Sequence, residues 1–104
     1  MKVVALPKVY DYLENLVTIL YEKDYFGLKE SAHKYVDDLF DDIIVTLPIR
    51  LHKTAPKHFD KYGKGMKYAA FPQNKRTIWY AFLQHIAKMT KKYILFATLQ
   101  ITIR

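Results

Sequence analysis

Apolar side chains recur at intervals of three and four residues in two stretches of the first half of the chain. The first stretch starts at Lys8 and runs to the segment DYFG, which ends at Gly27, and the second starts near Leu28 and stops at Pro48. This spacing predicts two amphipathic helices that pack as an antiparallel hairpin. The predicted buried positions are Val9, Leu13, Leu16 or Val17, and Leu20 in the first helix, and Ala32, Val36, Leu39 or Phe40, Ile43 and Leu47 in the second. The acidic set Asp37, Asp38, Asp41 and Asp42 is expected to face water.

Four other runs are rich in β-branched and aromatic residues and predict strands. They are KVVAL near the start, then MKYAAF, TIWYAFL and KYILFATLQITI, with PQNKR as the turn of a hairpin. Strict alternation in the last run places one set of side chains on the face that packs on the helices: Tyr93, Leu95, Ala97, Leu99, Ile101 and Ile103. The order β-α-α-β-β-β predicts an α+β fold, an antiparallel sheet with the helical hairpin on one face.

Length and composition narrow the class of protein. A chain of 104 residues has room for one domain, residues 1–104, and the lack of cysteine excludes disulfides and thiolate zinc sites. The longest apolar runs are much shorter than the roughly 20 residues that span a bilayer, and the start MKVVALPK lacks a signal-peptide core. We therefore expect a soluble cytoplasmic protein without a membrane partner.

Charge is divided unevenly between the two halves. Residues 1–50 carry six Lys or Arg against nine Asp or Glu, a net −3, whereas residues 51–104 carry eleven against one, a net +10. Lysines on a solvated surface are one interpretation of this excess. The strong segregation favours the other interpretation, a polyanionic partner such as nucleic acid.

Motifs for cofactor chemistry are not recognisable in the sequence. The four histidines are not spaced as metal ligands, and YGKG is too short for a phosphate-binding loop, so neither a metal nor a cofactor is expected. A basic and aromatic segment remains, in which cations suit phosphates and aromatic rings suit unpaired bases. The candidate RNA-binding residues in it are Lys53, Lys57, Lys61, Lys64 and Lys75. Trp79, Phe71 and Phe82 are interpreted as core residues instead.

The helical hairpin followed by LHKTAPKHFDKYGKGMKYAAFPQNKRTIWYAF resembles the RelE/ParE-family toxins of bacterial type II toxin-antitoxin modules. The similarity runs from Met1 to about Phe82, and its specific parts are PKHFDKYGKGMKY and WYAF. The resemblance implies a cognate antitoxin as partner and ribosome-dependent cleavage of mRNA, hence the ribosome and mRNA as further partners. A minority branch of the family inhibits DNA gyrase instead, and an antitoxin-binding decoy without activity is a further alternative.

The resemblance also implies where catalytic residues lie. Lys67 stands where RelE-like members place a catalytic lysine, and Lys75 or Arg76 lies near the position of an arginine before the next strand. Ala69 departs from the pattern, because RelE has a second lysine there. Lys67, Arg76 and Tyr80 are thus the candidates for holding a phosphate and transferring a proton.

The segment after about Phe82 departs from the family. A tail typical of the subgroup is FFTTYRKNDEKIYLVRYIANNHT. Removal of one T from the opening run of its coding sequence, with suitable synonymous codons, yields the observed ending FLQHIAKMTKKYILFATLQITIR. The arginine of LVRY and the histidine of NNH are lost in this change. We therefore hypothesise a single-base frameshift near Phe82 and Leu83 that impairs catalysis.

The coding DNA tests this hypothesis directly. Its sequence from the codon of Phe82 onward past Arg104, compared with the source genome, is expected to show a shortened T run and a neighbouring frame that reads YLVRYIANNH. An unbroken frame in the genome, with a meaningless neighbouring frame, would refute the hypothesis.

Overall fold

A computed structural model describes residues 1–23, 29–73 and 75–103 of the chain. The helix end predicted at Gly27, the helix start predicted near Leu28 and residue Asn74 of the predicted turn lie outside these ranges. The regular elements are β1 (Lys2–Ala5), α1 (Pro7–Glu22), α2 (Lys29–Thr46), β2 (Lys53–Thr54), β3 (Lys67–Pro72), β4 (Thr77–Lys88) and β5 (Lys91–Ile103), with 3-10 helices at Leu47–Ile49 and Lys57–Tyr62. In the described ranges, the helices are too short or too polar to cross a membrane.

The two helices bury the stripes that their spacing predicts, except that Leu20 of α1 is only partly buried against the core. Both alternatives in α1, Leu16 and Val17, are buried, whereas α2 buries Leu39 and leaves Phe40 half-exposed. The α-helical hydrogen bonding ends at Thr46, before Pro48, as expected for a residue that lacks a backbone N–H. The remaining buried helix positions are Val9, Leu13, Ala32, Val36 and Ile43, and Leu47 is buried just beyond α2.

The acidic face of α2 is exposed except at its last member. Asp37, Asp38 and Asp41 face water, as predicted. Asp42 is half-covered, because its Oδ2 accepts a hydrogen bond of 3.3 Å from an Nη2 of Arg50. The prediction that Asp42 simply faces water is therefore wrong, and the reason is this ion pair at the end of α2.

The five strands form one mixed sheet in the order β1-β5-β4-β3-β2. Strand β1 pairs with β5 in parallel, whereas the other three pairs are antiparallel. The prediction of a fully antiparallel sheet is wrong at β1, because the two helices that follow β1 allow the chain to return in the same direction. Strand β2 is too short to give a sequence signal, and β4 extends to Lys88, five residues beyond the predicted run.

A β-bulge in β5 changes which side chains face the helices. Phe82 of β4 is opposite Thr98, but Leu83 is opposite Phe96, so Ala97 has no partner in the ladder. The extra residue shifts the alternation by one position. As a result Ile94 and Phe96 pack into the helix-side core, with Leu99 beyond the bulge, and Ala97 packs on the opposite face.

The strict alternation predicted for β5 is thus only partly right. Leu99 faces the helices as predicted, but Ala97 belongs to the apolar cluster on the other face, and Tyr93 and Leu95 alternate with the buried Ile94 and Phe96. Ile101 is on the surface, with 38% of its area exposed. A strand that contains a bulge cannot keep one phase of alternation along its whole length.

Two apolar cores lie on opposite faces of the sheet. The larger one joins both helices to the sheet, and Trp79 and Phe71 at its centre are fully buried. The indole N–H of Trp79 donates a hydrogen bond of 3.0 Å to the hydroxyl oxygen of Tyr35, which satisfies its polar atom. The smaller core contains Phe59, Met66, Phe82 and Ala97. The prediction that Trp79, Phe71 and Phe82 are core residues is confirmed.

Replacement of Phe96 by Ala is expected to lower the free energy of unfolding by about 3–5 kcal/mol, because Phe96 is fully buried at the centre of the larger core. Leu51→Ala is the matched control: Leu51 is 76% exposed, and its truncation should change the free energy by less than about 0.5 kcal/mol. Urea unfolding of both variants measures the difference. Equal, small effects would show that β5 does not contribute to the core as described.

Candidate nucleic-acid interface and histidine cluster

The face of the sheet opposite the helices carries a group of aromatic side chains. Alternation along β4 directs Trp79 and Ala81 to the larger core and Tyr80 and Phe82 to this open face. Tyr68 of β3 joins them, with its ring centroid 5.8 Å from that of Tyr80 and 5.7 Å from that of Phe82. Tyr68 and Tyr80 are half-exposed, so parts of their rings remain accessible to a ligand.

The 3-10 helix Lys57–Tyr62 covers one part of this face. The ring of Phe59 stacks on that of Phe82, with centroids 4.0 Å apart and planes 12° apart, and His58 packs on Phe59 at 4.3 Å. Aromatic pairs of this kind stabilise the folded protein by more than the burial of their surface alone provides. The stack fixes the segment to the sheet and leaves His58 exposed beside the tyrosines.

Gly63 allows the end of this segment to approach β4 closely. Its φ is +144°, a conformation that favours glycine, and a Cβ atom there would lie 2.6 Å from Oε1 of Gln84. Gln84 in turn donates a hydrogen bond of 2.8 Å from Nε2 to the carbonyl oxygen of Lys64. A side chain at position 63 would be strained at this φ and would displace the amide of Gln84.

Two grooves border the tyrosines. One, of about 400 Å³, lies towards the 3-10 helix and β5, and the other, of about 480 Å³, lies towards β2. Tyr68 and Tyr80 line both grooves and form a ridge between them, which we call the tyrosine ridge. The polar residues of the first groove are Thr54, His58, Gln100 and Thr102, and the cations of the second are Arg50 and Lys53.

Arg50 is held in place by several groups. Its guanidinium lies 3.9 Å from the ring centroid of Phe71 and donates a hydrogen bond of 3.2 Å to the carbonyl oxygen of Ala70 on β3. Its Nε donates to Oγ1 of Thr46 at 2.9 Å, and Asp42 accepts from Nη2. These contacts fix a cation at the edge of the second groove. They also occupy the carbonyl oxygen of Ala70, which could otherwise pair with a further strand.

The predicted catalytic residues are not brought together. Lys67 is opposite Leu83 in the β3-β4 ladder and lies on the helix side of the sheet, whereas Tyr80 is opposite Ala70 and lies on the open face. Arg76 is exposed just before β4. One ligand atom on one face of the sheet cannot be in contact with both Lys67 and Tyr80.

The predicted RNA-binding lysines are all exposed, but they are distributed over several elements. Lys53 lines the groove beside the tyrosine ridge. Lys57 and Lys61 belong to the 3-10 helix, and the ammonium of Lys61 lies 5.1 Å from the ring centroid of Tyr62. Lys64 follows in the loop before β3, and Lys75 lies in the turn before β4. Of these five lysines, Lys53 is the one that lines a groove of the tyrosine ridge.

Two histidines form a pair that the sequence analysis does not anticipate. Nδ1 of His52 and Nε2 of His85 are 3.0 Å apart, and Nε2 of His52 is 2.6 Å from the carbonyl oxygen of Leu47. A carbonyl oxygen only accepts, so Nε2 of His52 carries a proton and donates it to Leu47. In the neutral pair Nδ1 of His52 then accepts from Nε2–H of His85, which leaves Nδ1 of His85 as an unprotonated acceptor.

The surroundings of His85 disfavour its cationic form. Partial burial lowers the pKa of His85 below its ordinary value of 6.5, and electrostatic interactions with His52 and Lys67 lower it further. Lys67 thus acts on His85 at the helix-side end of the sheet. We call His52, His85 and Lys67 the histidine cluster.

The histidine pair was missed because its members are 33 positions apart. The signal that could have revealed His85 is its spacing of two residues from Leu83, which predicts the same face if β4 continues. Among the described residues, no group of three or more His, Cys, Asp or Glu is arranged to hold a metal ion. Comparison of the chain with protein-family models, curated proteins and solved structures gives no match.

His85 should make the stability of the protein depend on pH. Because the pKa of His85 is lower in the folded state, the unfolded chain takes up a proton first as the pH falls from above 6.5. The free energy of unfolding should therefore decrease as the pH falls from neutrality through the folded-state pKa. His85→Gln should weaken this decrease, as measured by urea unfolding at a series of pH values. His33→Gln, on the exposed surface of α2, is the control. If the free energy of unfolding depended on pH in the same way in both variants, His85 would not be the group responsible.

Proposed function

We propose that this protein binds single-stranded RNA across the open face of its sheet. The observation that carries the proposal is the tyrosine ridge between two grooves, with Lys53 and Arg50 along one side. Bases stack on exposed aromatic rings without regard to sequence, and lysine and arginine neutralise the backbone phosphates. The grooves also contain Thr54, Gln100 and Thr102, whose side chains can bind base edges or 2′-hydroxyl groups.

We further propose that the protein is a RelE/ParE-like toxin with a cognate antitoxin. One strand, two helices packed on one face of the sheet, and three long strands after them are compatible with that fold. The similarity of residues 1–82 to the family supports the assignment. The antitoxin, the ribosome and mRNA are the partners that the assignment implies.

Cleavage of mRNA should be impaired in this chain. Lys67 and Tyr80 lie on opposite faces of the sheet, so they cannot act on the same phosphate as an acid-base pair. The arginine and histidine of the family's tail also have no counterpart in β5, where Phe96 and Ala97 fill the two cores. RNA binding with little or no cleavage is therefore the activity that these residues support.

Tyr80→Leu is expected to weaken binding of a fluorescently labelled single-stranded oligoribonucleotide by roughly 5- to 100-fold, because loss of one stacking contact costs about 1–3 kcal/mol. Leucine keeps an apolar side chain on the strand and removes the aromatic ring. Tyr21→Leu on exposed α1 is the matched control and should leave affinity unchanged. Fluorescence anisotropy at fixed salt measures both variants.

Equal affinities of the two variants would refute the proposed interface. Incubation of the same RNA with the native chain and ribosomes tests whether mRNA cleavage is impaired. Cleavage at the full strength of an active toxin would contradict this proposal. Inhibition of gyrase supercoiling without RNA binding would favour the gyrase-directed branch. Antitoxin binding with neither activity would identify a decoy.

A further inference from the structure

The histidine cluster lies on the side of the sheet away from the tyrosine ridge. Lys67 is the first residue of β3, His85 lies near the C-terminal end of β4, and His52 directly precedes β2. Their basic groups come from three parts of the chain that the sheet brings to one end. Exposure of His85 and partial exposure of His52 and Lys67 leave this place accessible from solvent.

The charges of the cluster are not balanced by acids. In residues 1–23, 29–73 and 75–103, Lys67 forms no ion pair and the two histidines have no carboxylate in a common cluster. The groups that act electrostatically on His85 are His52 and Lys67, both of which disfavour a positive charge. An anion bound among these basic groups offsets their mutual repulsion, because it favours the charged form of each group near it.

We propose that His85 and Lys67 bind a phosphate group, oriented by His52, and that binding is coupled to uptake of one proton by His85. The neutral pair presents the lone pair of His85 Nδ1 outward, which repels an anion. Protonation converts this nitrogen into an N–H donor, while Nε2–H remains bonded to His52. The ammonium group of Lys67 supplies a second donor and the balancing charge.

His52 has a positioning role in this site. Its two ring nitrogens are used by Leu47 and His85, so it keeps no donor for the ligand. The bond of 2.6 Å to the carbonyl oxygen of Leu47 selects the tautomer whose Nδ1 accepts from His85. His52 therefore determines which nitrogen of His85 points to the anion.

The phosphate group has two chemical sources, free inorganic phosphate or the backbone of RNA. The cluster and the groove are adjacent, since His52 of the cluster is followed directly by Lys53, the first residue of β2, which lines the groove. The site nevertheless does not depend on RNA binding at the tyrosine ridge. A chain that failed to bind RNA there would still present the same three basic groups.

The experiment is an NMR titration of the histidine ring nitrogens of the full chain with inorganic phosphate at constant ionic strength. Phosphate should shift the His85 signals saturably and raise the pKa of His85 by about one unit, the effect of an adjacent opposite charge. Lys67→Gln should weaken phosphate binding about tenfold, because it removes a charge-assisted hydrogen bond to the anion. Lys91→Gln removes the same charge at the exposed first residue of β5 and should change affinity less than about twofold.

A second NMR measurement, at high pH, tests the positioning role of His52. The ring signals of the native chain should show the Nε2–H tautomer of neutral His85, and His52→Phe should yield a mixture of tautomers. Unchanged tautomer populations in this variant would overturn the positioning role. Equal phosphate affinities of Lys67→Gln and Lys91→Gln, or an unchanged pKa of His85 in phosphate, would overturn the site itself.

A short oligoribonucleotide in place of phosphate distinguishes the two sources. Competition between the oligonucleotide and phosphate at His85 would identify the RNA backbone as a ligand, and a response to phosphate alone would identify a free anion. Tyr80→Leu separates this site from the RNA groove. Loss of RNA affinity with an unchanged phosphate response is the expected result for that variant, whereas loss of both would overturn the independence of the two sites.

Discussion

The last strand, β5, hydrogen-bonds to β1 on one side and to β4 on the other, and it contributes side chains to both cores. Phe96 and Ala97 are consecutive residues that fill opposite faces, the first against the helices and the second beneath the Phe59–Phe82 stack. Alternation along the strand directs these neighbours to opposite layers, and the bulge at Ala97 shifts the phase so that Leu99 also faces the helices. Ala97 is buried in one cluster with Phe59 and Phe82, so a larger side chain at position 97 would overpack this smaller core.

The elements with a strong local signal were predictable from the sequence. The spacing of Val9, Leu13, Ala32 and Val36 determines the buried faces of the helices, because an α-helix has one period along its length. The bulge at Ala97 was not predictable, since it depends on how two strands fit and not on either alone. The parallel pairing of β1 likewise depends on the path through the helices.

The candidate site, too, could be predicted only in part from the sequence. Its composition, lysines interleaved with tyrosines, is visible in the sequence, and Tyr80 and Lys53 do lie near each other. Which residues of different strands share a face is set by register: Lys67 is opposite Leu83, so Lys67 and Tyr80 point to opposite sides of the sheet. The contact of His52 with His85 is a tertiary effect that no local pattern encodes.

The packing of β5 also shows how a tail changed by the hypothesised frameshift would be compatible with a folded domain. A β-ladder is held by backbone groups, which are the same for every residue except proline, and by apolar side chains at a few inward positions. Ile94, Phe96 and Leu99 meet that requirement. Catalysis has a stricter requirement, because a proton donor or acceptor must be a particular residue at a particular atom. The proposed RNA affinity is therefore compatible with the hypothesised loss of cleavage, since Tyr68, Tyr80, Arg50 and Lys53 all precede the tail.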